Sequence, residues 1–79
     1  MTDFTAVARE KLARIVGPSE GEAAFRAALR EVGKAALATS DDLYAFGQAL
    51  KGRGGVVGAV GGLLCLQAAI AGAKQAAAP

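Results

Sequence analysis

Few residues in this chain could do chemistry. Asp41 and Asp42 are the only adjacent carboxylates, Cys65 is the single thiol, and there is no histidine among the 79 residues. A carboxylate pair serves acid–base or metal chemistry when a further ligand or base stands with it. Here the pair directly follows Thr39-Ser40. That order reads as a helix start, a hydroxyl cap and then two carboxylates on the positive end of the dipole. A cysteine nucleophile needs a neighbour that lowers its pKa, and Leu64 and Leu66 beside Cys65 predict burial and a raised pKa instead. No catalytic set, cofactor site or metal site is expected, and the chain does not read as an enzyme.

Two groups of residues could instead bind something. Gly52-Arg53-Gly54-Gly55 precedes a helical segment, where phosphate-cradling loops stand. It lacks the Lys-Ser/Thr ending of a P-loop and reads as a hinge or tight turn. Arg26, Arg30 and Lys34 are four apart and form a row on one flank of a helix. With Tyr44 and Arg53 they make a candidate surface for a partner or an anion. Against nucleic acid stand a net charge of only +2 and the acids Glu20, Glu22 and Glu31 in the same helical segment. Asp41 and Asp42 also lie where a recognition helix would begin. Weak nucleic-acid binding is the third reading of the function.

The elements that position these residues follow from period and punctuation. Phe4, Ala8, Leu12, Ile15 and Val16 share one helical face, predicting a first helix over about 3–16, ended by Gly17-Pro18. Ser19 with Glu22 three residues on reads as a capping box. It opens a second helix over about 20–38, with Phe25, Ala28, Leu29, Val32 and Ala36 inward. A third helix, about 41–51, buries Leu43, Phe46, Gly47 and Leu50, and a fourth runs over about 55–74. Residues 76–79 are expected to be a frayed tail. No segment alternates at period two long enough to make a strand. The expected fold is all-α, one small four-helix bundle over residues 1–79.

Composition agrees and excludes other classes. Hydrophobic residues are 53% of the chain, with 20 alanines and 11 glycines, so disorder is not expected. One cysteine supports neither a disulfide framework nor a zinc site. The N-terminal residues lack a basic stretch followed by an apolar run, so no secretory signal is expected and the cytoplasm is the expected compartment.

The fourth helix is the most informative segment. On a helical wheel Gly54, Gly58, Gly61, Gly62, Cys65, Ala68, Ala69 and Gly72 fall in one arc. Val56, Val57, Val60, Leu63, Leu64, Leu66 and Ile70 fall opposite. The expectation is that the bulky arc fills the core. The small arc (Gly54, Gly58, Gly61, Gly62, Cys65, Ala69, Gly72) is then left as a flat glycine-zipper face. Such a face admits a second backbone, either within the chain or in a second copy. Glycines cost about 0.8–1 kcal/mol each in a helix interior, and close packing offsets that cost. The first reading of the function is therefore a non-enzymatic interaction module, self-associating or binding another protein through this face. The alternative is membrane association, because Gly54 to Ala73 holds twenty residues without a charge.

Overall fold

The computed structural model describes residues 4–72. It contains four helices: α1 (Phe4–Ile15), α2 (Pro18–Val32), α3 (Ser40–Lys51) and α4 (Gly55–Ile70), with no strand among the described residues. The protein is a small all-α bundle made of two antiparallel hairpins. The expected helix positions 3 and 73–74 and the tail 76–79 lie outside the described residues.

The first hairpin closes through Gly17, whose φ of 120° suits glycine. Pro18 occupies the first turn of α2, where its missing N–H costs nothing. The capping box expected at Ser19 therefore does not form. Proline pre-sets φ and starts the helix before Ser19, which becomes an ordinary first-turn residue. Gly21 lies against the backbone of α1, where a Cβ would stand 2.7 Å from the Leu12 carbonyl oxygen. Outside this contact, Arg9 reaches Glu22 and covers the ring of Phe25, its guanidinium carbon 4.9 Å from the ring centre.

α2 ends at Val32 and not at Ala38. Gly33 takes a left-handed φ of 72°, and its N–H donates to the carbonyls of Arg30 and Leu29. The Lys34 N–H donates to the Leu29 carbonyl at 3.3 Å, completing a Schellman-type stop. The apolar period through Ala36 continues past this stop in sequence, but Ala36 is exposed in the loop. The loop instead delivers Leu37 to the core with no exposed surface. Its N–H donates to Thr5 Oγ1 at 2.7 Å and its carbonyl accepts from the Phe4 N–H at 3.1 Å. Those bonds tie the loop to the start of α1.

A capping box does open α3. The Asp42 N–H donates to Thr39 Oγ1, and the Thr39 N–H donates back to Asp42 Oδ2, at 3.1 and 3.2 Å. α3 turns into α4 through Gly52, Arg53 and Gly54, and so short a connection holds the two helices side by side. Between the hairpins, Leu12, Leu37, Leu43, Phe46, Leu50, Val60 and Leu64 are fully buried. The rings of Phe25 and Phe46 meet tilted, 5.5 Å between centres. Each such large side chain contributes about 1.5–3 kcal/mol by leaving water.

Candidate functional site

α4 carries no charge and one polar side chain, Gln67, so its orientation is set by what it packs against. The α3–α4 contact is a backbone approach. A Cβ on Gly61 would lie 2.5 Å from the Gly47 carbonyl oxygen and 2.7 Å from the Lys51 nitrogen. A Cβ on Gly47 would lie 2.8 Å from Cys65 Sγ and equally close to the Gly61 carbonyl oxygen. The two glycines face one another because nothing larger fits. Cys65 is buried in the same seam, and its thiol donates to the Tyr44 carbonyl oxygen at 3.6 Å. Burial pushes its pKa up, only partly opposed by Lys51. In this position Cys65 is a packing group.

The small-residue arc is therefore divided. Gly58, Gly61 and Cys65 face α3 of the same chain, a Cβ on Gly58 standing 3.4 Å from the Lys51 carbonyl oxygen. Gly62 is half-buried with open space where a Cβ would point, and Gly54, Ala69 and Gly72 are exposed. The expectation that the bulky arc fills the core is corrected as well. Val60 and Leu64 are buried, but Val56, Leu63, Leu66 and Ile70 are 57%, 47%, 60% and 81% exposed. The three-residue turn forces α4 against α3, and only its glycine side allows that approach. The buried direction thus falls between the two arcs and leaves half of the bulky one outside.

That exposed half forms a continuous stripe. Val56, Ala59, Leu63, Leu66 and Ile70 follow one another at spacings of three, four, three and four, all on the exposed side. This is the a/d spacing of a helix-pairing seam. The spacing is legible in the sequence, but no polar face marks which side of α4 it lies on. α4 has no acid in its first turn and no base in its last. Beside the stripe, Ile15 is also exposed, and Val7, Glu10, Lys11, Arg14, Ile15 and Gln67 line a shallow depression of about 270 Å³.

The basic surface has a different character. Arg26 and Arg30 border a second depression of about 420 Å³, together with Arg9 and Phe25. Lys34 lies at its edge but beyond the end of α2, so the expected helical row is interrupted. Glu22 engages two of the cations. Arg9 donates to it from Nε at 2.9 Å and from Nη2 at 2.7 Å, and Arg26 from Nε at 2.9 Å. The hydrogen bonds from Arg9 and then Arg26 hold the Glu22 carboxyl at about 2, well below its ordinary 4.5. Lys34 pairs with Asp42 at 3.4 Å. Desolvation works against the charged form of Asp42, but the Thr39 and Ala38 N–H groups and Lys34 outweigh it and lower its pKa.

Only Arg30 of the expected row makes no ion pair among the described residues. Arg53 is exposed in the α3–α4 turn and does not line the depression that Arg26, Arg30 and Lys34 border. Tyr44 is half-buried at the core edge and its hydroxyl accepts from Gln48 Nε2 at 2.8 Å. Among the described residues, no group of three or more His, Cys, Asp or Glu is placed to hold a metal ion. Nor is any helix long and apolar enough to cross a membrane. No family model, curated protein or solved structure matches the chain.

Proposed function

We propose that this chain is a non-enzymatic helical assembly module that self-associates through the outward stripe of α4. The observation that carries the reading is the stripe itself, five apolar residues at seam spacing on the exposed side of a helix whose opposite side already serves the core. Contiguous exposed apolar surface on a chain this small is a binding site or an aggregation hazard. The docking face thus moves from the glycine side of α4, much of which its own α3 occupies, to the side bearing Leu63 and Leu66.

Light scattering on the eluting protein across a concentration series tests the reading. The expected result is a discrete oligomer that dissociates on dilution and that Leu66→Lys abolishes, with helical content and urea midpoint retained. A monomer throughout, or an oligomer indifferent to Leu66→Lys, overturns it.

A further inference from the structure

We infer that the occupant of the α4 stripe is one second copy of this chain, its α4 antiparallel and related by a two-fold axis that crosses the stripe at the level of residue 61. The inference rests on the self-association proposed above and adds orientation, register and a residue that sets them. Three observations carry it.

The first is side-chain size. In an antiparallel pair each a position meets a d position of the other helix. With the axis at the level of residue 61, Val56 lies opposite Leu66 of the second copy and Ala59 opposite Leu63, and the symmetry repeats both pairs. Each of these four layers then joins a smaller side chain to a leucine, as an interdigitated seam requires. A parallel pair would set Ala59 against Ala59 and Leu66 against Leu66, leaving a gap in one layer and crowding in another.

The second is charge. The C-terminal end of α4 has no basic side chain of its own chain in its last turn. The antiparallel register lays that end, with exposed Ile70, over the second copy's Gly52-Arg53-Gly54 turn. There Arg53, exposed and without an ion pair among the described residues, meets the last carbonyls, where the helix dipole favours a cation. A parallel pair would instead bring the two Arg53 side chains together.

The third is area. A helix of 16 residues is about 24 Å long, and pairing two of them buries on the order of 1,000 Å² in total. That lies at the lower edge of specific interfaces. It suits a reversible dimer, and among the described residues the one exposed large apolar side chain outside the stripe is Ile15, too little to build a larger assembly.

Single-cysteine variants in a Cys65→Ala background test the arrangement by disulfide trapping in a glutathione buffer. Ala59→Cys mixed with Leu63→Cys is expected to cross-link, and Ala59→Cys alone is not. Arg53→Glu, which disturbs no packing, is expected to weaken dimerisation about 3- to 30-fold. Cross-linking of Ala59→Cys with itself would show a parallel pair. It would overturn the inference while leaving the self-association intact. Wild-type affinity in Arg53→Glu would remove the proposed role of that residue. If the oligomer persists with neither cross-link, the inference falls and Leu66→Lys still decides the self-association; if no oligomer forms, both the inference and the proposed function fall.

Discussion

The two hairpins of this protein solve the same packing problem and finish it differently. Each brings a glycine of one helix against the backbone of the other, Gly21 on Leu12 in α1–α2 and Gly61 on Gly47 in α3–α4. The first hairpin then closes its rim with charge, Glu22 holding both Arg9 and Arg26. The second has no ion pair across its seam among the described residues, and it turns Leu63, Leu66 and Ile70 outward. Charged side chains complete a surface toward water, whereas an apolar outer face asks for another partner. The hairpin whose outer face is apolar is the one to which we assign assembly.

The largest effects should come from contrasting the two sides of α4. Leu64→Ala removes a fully buried side chain and should cost about 2–5 kcal/mol in urea unfolding. Leu66→Ala, two positions on and exposed, should change the stability of the dilute chain by no more than about 0.5 kcal/mol. Equal losses at both positions would mean that α4 is rotated from the orientation described.

Adjacent glycines give a sharper contrast, because the same substitution should have opposite signs. Gly61→Ala forces a methyl into the α3 backbone and should destabilise by about 1–3 kcal/mol. Gly62→Ala meets open space and should stabilise by up to about 1 kcal/mol through helix propensity. A gain at both positions would show that the seam is looser than the close contact between Gly47 and Gly61.

The smallest effect separates the hairpins by pH. Glu22 has its pKa lowered from 4.5 to about 2 on folding, so the unfolded chain takes up its proton first as pH falls. The stabilisation is complete above 4.5 and disappears as pH drops from there toward 2. Melting temperature should decline over that window, and Glu22→Gln should flatten the decline. Asp42, also lowered, contributes with the same sign, so part of the slope should remain. Outer-face variants such as Leu66→Ala should leave the slope unchanged.

Much of the fold could be read from local signals. The ends of α1 and α3 follow from Gly17-Pro18 and Thr39-Ser40-Asp41-Asp42, because proline, glycine and short polar side chains act on the nearest backbone groups. The end of α2 is equally local, since Gly33 carries the stop, while the apolar period runs on past it through Ala36. Leu37 had no periodic signal, as a loop residue enters the core through bonds to Thr5 and Phe4 far along the chain.

The candidate site divides along the same line. From its residues alone, α4 is bound to be a helix carrying small side chains on one arc and large ones on the other. Which arc meets the core is a question of phase, and phase is read from a polar face that α4 does not have. The tertiary structure decided it, because a three-residue turn presses α4 onto α3 and only glycine on glycine permits that approach. That contact places Leu64 inside and Leu66 out, and so locates the surface on which this protein is proposed to assemble.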